Sequence, residues 1–316
     1  MKILLTFLLC ISIPNSSTPE LILHSNGKTL DRINPAFFNH PIFGDLMVDE
    51  QKYTDFLAAI EEKVEEKPTN AYIGKNNEIV SEITGQTLDR KKFRELFHQY
   101  FYNKMTNTVE VPVKELYPKV DSELLDRIRA KCIGSYSTYF NSYNSQRSHN
   151  IRLATEAIDN AVIFPGEIFS FNKVVGKRTA KKGYLPAPVI VRGELSEGIG
   201  GGICQVSSTL FNSVDNAGVH IVERYSHTRR VPYVPPKRDA TVSWYGPDFV
   251  FKNPHQHPLL IRAQVYGGQL IIKIFSSDES LTHNRNLPSA PKTLPKEVNL
   301  TQSKSIKPHL STEQEN

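Results

Sequence analysis

Cysteine is scarce in this chain of 316 residues: three, at positions 10, 132 and 204, too few for a disulfide-built scaffold. Tryptophan occurs once and methionine three times. No apolar run approaches the roughly 20 residues that a membrane-spanning helix needs. Neither sign of charge dominates: 38 Lys and Arg against 33 Asp and Glu leave a formal net charge of +5. The resulting pI near 8.9 favours an anionic surface, but no nucleic-acid reader motif accompanies it, so nucleic acid is not an expected partner. What is present is ordinary for a globular protein, 39% hydrophobic residues in a chain long enough for two domains.

Residues 1–17 read as a signal peptide or short anchor: Lys2, an eleven-residue apolar run from Ile3 to Ile13, then small polar residues. Without that leader no stable membrane span is expected, and Cys132 and Cys204 remain as a pair able to form a disulfide in an oxidising setting. Residues 25–115 read as a small α+β domain. Asp49 caps a helix whose apolar stripe is Tyr53, Phe56, Leu57, Ile60 and Val64, and two short strands surround Lys75-Asn76-Asn77. A second helix begins at Asp89 with Phe93, Leu96, Phe97 and Tyr100 facing inward, and Val109, Val111 and Val113 alternate as one strand. A linker, "YPKVDSELLDRIRAK", follows. The larger domain, 125–275, opens with a helix over "NIRLATEAIDNAV". It continues in short β-branched or aromatic runs, "PAPVIVRGE", "VHIVERYS", "ATVSWYG", "DFVFKN", "PLLIRAQVYGG" and "QLIIKIFSS". The fold class is therefore α+β, the larger domain carrying a mostly antiparallel sheet with one or two helices. Residues 277–316, rich in Ser, Pro, Lys, Asn and Thr, read as a disordered polar tail.

The chemistry concentrates in "GIGGGICQVSSTLF". Gly200, Gly201 and Gly202 free the backbone and remove side chains that would block close approach. Val206, Leu210, Phe211 and Val214 then follow at helical spacing, which places Cys204 at a helix N-terminus. The N–H groups and dipole there favour a thiolate and could hold an oxyanion, with Gln205 as a further donor. His227 in "ERYSHTRR" and Asp239 in "KRDATV" could return to the helix start as base and orienting carboxylate, a Cys-His-Asp relay. Ser207, Ser208 and Thr209 offer hydroxyls to a substrate, although helical Ser and Thr usually bond their own backbone. Arg229, within the cluster Arg224, Arg229, Arg230, Lys237 and Arg238, could receive carboxylates or phosphates. Three readings of Cys204 stand at this point: a reactive thiol, an inert buried cysteine, or a disulfide partner of Cys132. His255 and His257 lie two apart but lack the tighter ligand set of a zinc site, so no metal and no cofactor is expected.

In order and spacing, "IGSYSTYFNS", "PGEIFSFNKVVGKRT", "GYLPAPVIVRGE", "GIGGGICQVSSTLFNS", "ERYSHTRRVPYVPP", "RDATV" and "DFVFKNP" resemble the VanW family, named for an accessory gene of some vancomycin-resistance clusters. The region before them resembles, more loosely, the peptidoglycan-binding domain that often precedes VanW in YoaR-like proteins. The resemblance implies an exported or cell-wall-associated protein of Gram-positive type whose partners are peptidoglycan or its stem peptides, with anionic wall polymers as further ligands. It supplies no mechanism. Lys237 stands where members often have glycine, and Arg230 where proline is common. Two functions follow: a cysteine-dependent acyl transferase or amidase on stem peptides, or a non-catalytic wall-binding protein with an inert Cys204.

Overall fold

The computed structural model describes residues 20–103, 107–191, 194–280 and 284–293. The leader and the end of the tail lie outside them. The chain forms two compact units: the described residues up to Ala71 with Ser81–Lys119, and Tyr72–Val80 with the chain from Val120 onward. The fold is α+β.

In the first unit, Asp49 caps helix α1, Glu50–Val64, by accepting from the Gln51 and Lys52 amides at 3.1 and 3.2 Å. Helix α2, Arg90–Asn103, buries Phe93, Phe97, Tyr100 and Phe101. Both helices join one core with Leu21 and Leu23 of a three-stranded sheet ordered Lys28–Ile33, Leu21–Ser25, Thr108–Glu110. The single strand expected over Val109–Val113 is instead two. Pro112 has no N–H for a ladder, so Thr108–Glu110 pairs with Leu21–Ser25 while Val113–Leu116 pairs with Gly85–Leu88, and Val113 is exposed.

The second unit is built on an antiparallel sheet ordered Lys131–Tyr139, Gln269–Ser276, Leu259–Tyr266, Val162–Ile163. Two long helices, α4 (Ser145–Ile158) and α6 (Ile203–Asn216), cover it, and α3 (Ser122–Ile128) and α5 (Phe171–Val175) add short turns. Helix α3 occupies the expected linker because Asp121 caps it through the Leu124 amide at 2.7 Å. Helix α4 starts at its cap Asn144 and ends before Val162, which pairs in the sheet. Gly134 lets α6 lie close on its strand, since a Cβ there would meet Ser213 O at 2.4 Å. A second sheet, Ile168–Ser170, Val250–Lys252, His220–Glu223, and the hairpin Pro186–Val191/Glu194–Ile199 complete the unit.

"ATVSWYG" forms no strand. The described part of the expected disordered tail also departs from its reading. Arg285 exchanges hydrogen bonds with Asn216 at 3.0 and 2.7 Å and reaches Asp215 Oδ1 at 2.6 Å. Pro288 O accepts from the Tyr136 hydroxyl at 2.8 Å, and Ala290 packs on Val231, Tyr233 and Val234. A polar, proline-bearing segment thus gains order from fixed partners rather than from its own apolar content. Cys132 and Cys204 are both free. Cys132 begins the strand Lys131–Tyr139, whereas Gln205 bonds Thr138 and Tyr139 near its other end, so the two cysteines stand roughly 20 Å apart at strand rise. That excludes the disulfide.

Candidate active site

Cys204 is the second residue of α6, whose cap, Gly202, has φ 105° and no side chain to occupy the terminus. The helix dipole therefore acts on the sulfur directly. The three glycines do not cradle a ligand; they let the loop seat against its own scaffold. A Cβ on Gly201 would meet Pro188 O at 2.5 Å, and one on Gly202 would meet Ile151 Cγ1 at 2.9 Å. Asn150, fully buried on α4, donates to Gly201 O at 3.1 Å and to Leu185 O at 2.9 Å and accepts from the Leu185 amide at 2.8 Å. These bonds fix where the helix begins.

The hydroxyls downstream bring Asp239 to that point. Ser207 Oγ donates to Ala240 O at 2.6 Å, and Ser208 Oγ accepts from the Ala240 amide at 2.9 Å. Ser208 also donates to Cys204 O at 2.6 Å, and Thr209 to Gln205 O at 2.7 Å. All three are fully buried and are not substrate ligands: Ser207 and Ser208 fasten the helix to the Asp239 segment, and Thr209 meets Thr138 Oγ1 of the sheet at 2.8 Å. Asn212 Nδ2 holds Arg238 O at 2.8 Å, and Arg238 reaches Asp215 at 2.7 Å. Arg224 donates to Asp239 O at 2.6 Å, and the Arg224 and Arg238 guanidiniums lie 4.8 and 4.6 Å from the Phe211 ring on which both rest. Two members of the basic cluster are thus internal fasteners. Arg229 and Arg230 are exposed. Lys237 has φ 64°, a conformation that favours glycine and costs about 1 kcal/mol for a residue with a Cβ.

The result is a hydrogen-bonded His227–Asp239 pair beside the Cys204 thiol. Asp239 Oδ2 accepts from the His227 backbone N–H at 2.6 Å and from Nδ1–H at 2.7 Å. Nε2 is left free by that bond, and the imidazole lies close enough to the Cys204 thiol for each to shift the other's titration. Thr241 Oγ1 lies 3.7 Å from Sγ and Val242 O 3.6 Å. Burial opposes charge on all three groups, yet their mutual interactions win. The His227 bond and charge, with the Val242 backbone and Thr241 hydroxyl, hold the Cys204 thiol below its ordinary value. Bonds to Asp239 and Cys204 push His227 up to about 9, and His227 holds Asp239 below the usual carboxylate range. The shifts run toward a thiolate–imidazolium pair oriented by a carboxylate.

Gln205 takes a different place from the one expected. Its amide hydrogens go to Thr138 Oγ1 at 3.0 Å and Tyr139 O at 3.1 Å, and its oxygen accepts from Arg147 at 2.7 Å. The side chain is therefore a buried brace, not an oxyanion donor. The Ile203 and Gln205 amides are engaged within the turn, to Gly200 O at 3.3 Å and Gly202 O at 3.0 Å. The Cys204 amide has no backbone acceptor among the described residues. His255 rests against the Ala217 backbone and His257 faces Glu279 at 3.9 Å; among the described residues no three ligating side chains converge on a metal position. Asn150, Asn212, Thr241 and Arg147 carry the site without any spacing signal in the sequence. Of these only Asn212 was findable, as one more polar residue on a helix that otherwise reads as core.

The profile of the family described as "VanW like protein" matches residues 146–275, which span the glycine loop, His227 and Asp239. An uncharacterised protein of Bacillus subtilis, YoaR, is 52% identical over 95% of this chain and 99% of its own length. This chain belongs to the VanW family. The vancomycin B-type resistance protein VanW of Enterococcus faecalis is 31% identical over 85 residues, 27% of this chain and 31% of that protein. No solved structure gives a significant match. In this VanW-family chain the matched region holds every member of the Cys204–His227–Asp239 array and most of its fasteners.

Proposed function

We propose that this protein is a cysteine-dependent acyl transferase or amidase acting on peptide stems of the cell wall. The observation that carries the reading is the Cys204–His227–Asp239 chain, with Nδ1 held at 2.7 Å and His227 raised to about 9. The Cys204 thiolate attacks an amide carbonyl and the carbonyl oxygen takes the charge beside the Cys204 N–H. The His227 imidazolium then gives its proton to the leaving amine, which departs as the C–N bond breaks. Water or an acceptor amine, deprotonated by His227, resolves the thioester and restores the thiolate. The choice between those two nucleophiles decides hydrolysis or transpeptidation.

The wall assignment is supported by family membership and by the similarity to a relative named as a vancomycin B-type resistance protein. A location outside the membrane rests on the leader-like residues 1–17; no helix among the described residues is long and apolar enough to cross a membrane.

Incubation of the full chain with purified stem peptides, followed by mass spectrometry, tests the reading. Cys204→Ala is expected to retain the fold and to lower turnover by on the order of 10⁴-fold or more. Turnover unchanged in Cys204→Ala would remove the cysteine mechanism and leave a wall-binding protein.

A further inference from the structure

On the glycine loop that leads to Cys204 packs a buried guanidinium whose terminal nitrogens have no hydrogen-bond partner among the described residues. Arg178 lies between α5 and the hairpin Pro186–Val191/Glu194–Ile199, and it packs on the glycine loop. A Cβ on Gly200 would meet its Cβ at 3.2 Å and its Cγ at 3.4 Å. Its guanidinium stands 5.7 Å from the Phe171 ring centroid. Both Nη atoms are buried, and neither has a hydrogen-bond partner among the described residues. Four strong donors therefore stand desolvated and without acceptors, an arrangement that destabilises a fold by the full cost of an unpaired buried charge. Burial pushes its pKa down, and the acidic groups that oppose this are first Cys204, then Tyr184 and Asp248. Asp248 itself is taken up by Ser170 at 2.5 Å and by the Asn172 and Phe249 amides at 2.9 and 2.7 Å.

Three other arginines around the site have acceptors. Arg147 holds Gln205, Arg224 holds Asp239 O, and Arg238 holds Asn212 and Asp215. Arg178 alone of these four has no assigned acceptor, and it is the one whose principal acidic neighbour is the nucleophile.

We infer that Arg178 is a specificity-determining residue that receives a carboxylate of the substrate beside Cys204. The inference rests on the acyl-transfer reading and narrows its substrate class to acidic peptides, with a free carboxylate close to the scissile amide. A planar guanidinium with two free Nη groups matches the two oxygens of a carboxylate in a bidentate pair, which an ammonium cannot reproduce. The carboxylate can be a peptide C-terminus or an acidic side chain; the two share this chemistry. A free C-terminal acid, its amide and an internal glutamyl peptide separate them once turnover is in hand.

The test needs no identified substrate. Iodoacetate and iodoacetamide alkylate the same sulfur and differ in a carboxylate, so the ratio of their rates at Cys204 reads the anion preference of the site. The ratio is measured on the full chain by mass spectrometry, at a pH where the thiolate of each protein is fully formed. Arg178→Gln is expected to lower the iodoacetate-to-iodoacetamide ratio by about tenfold, with Arg178→Lys between the two. Because the substitution removes an unpaired buried charge, Arg178→Gln should melt no lower than the parent protein. An unchanged ratio in Arg178→Gln would overturn the inference, as would a clear fall in its melting temperature, which would reveal a structural partner. The iodoacetamide rate of the parent protein separates the two claims. If it follows an ordinary thiol, the acyl-transfer reading fails; if it shows an activated thiolate while the ratio ignores Arg178, only the carboxylate site fails.

Discussion

Asp239→Asn is expected to lower turnover by about 10³- to 10⁴-fold while leaving the nucleophile in place. The carboxylate oxygen Oδ2 accepts from two N–H groups of one residue, the His227 backbone at 2.6 Å and Nδ1 at 2.7 Å. An amide whose oxygen takes that place still accepts from both N–H groups but carries no charge, so the imidazolium loses its counterion. The loss of the negative charge also removes a leading support of the raised His227 pKa, which then falls back from about 9. With a less basic imidazole, the Cys204 thiol loses its charged partner and its pKa rises. Turnover and the pH at which iodoacetamide reacts should therefore move together. Equal turnover in the variant would show that Asp239 only closes a turn.

Gly201→Ala is expected to destabilise the second unit by about 3 kcal/mol and to slow Cys204 alkylation, although Gly201 takes no part in the chemistry. Its added Cβ would meet Pro188 O at 2.5 Å and the Ala187 carbonyl carbon and oxygen at 2.7 Å. Those are backbone atoms of a paired strand, so no rotamer change relieves the overlap. The loop must move, and it carries the Gly201 carbonyl away from Asn150 and the first turn of α6 with it. Gly166→Ala is the control for backbone strain alone, because that glycine has a positive φ, 77°, which Gly201 does not, and has nothing within 4 Å of the added carbon. Denaturant unfolding of the three proteins checks the order. A Gly201→Ala protein as stable as the parent would mean that the glycine loop is not packed as described.

These two residues mark what the sequence made readable and what it hid. The glycine run before a cysteine and the helical spacing of Val206, Leu210 and Val214 were enough to place a thiol at a helix N-terminus. The β-strand leading to His227 and the short return to Asp239 were enough to suggest their meeting. Spacing along the chain did not show what brings them together, because the fasteners are polar side chains bonding to backbone groups far away in sequence. Ser207 and Ser208 hold Ala240, and Asn212 holds Arg238. For the same reason "ATVSWYG" read as a strand. Ala240 and Val242 are buried while Trp244 and Tyr245 are exposed, and the segment is held by hydroxyls of α6 instead of by a neighbouring strand. Gln205 was misread because its position next to the nucleophile suggests an oxyanion donor, whereas the helix turns its side chain away into the sheet, toward Thr138 and Tyr139. Composition reports what a segment can bury, not the polar partners Asn216, Asp215 and Tyr136 that meet the described residues 284–293 of the tail.

The central claim is an activated thiolate at residue 204, and the rate of its alkylation by iodoacetamide against pH tests it most directly. The account predicts a rate that rises with a midpoint below the value of about 8.5 for a free thiol. It also predicts a second change near pH 9, where His227 gives up its proton and the ion pair becomes a thiolate beside a neutral ring. A single rise centred at or above 8.5, or no labelling until the protein unfolds, would contradict it.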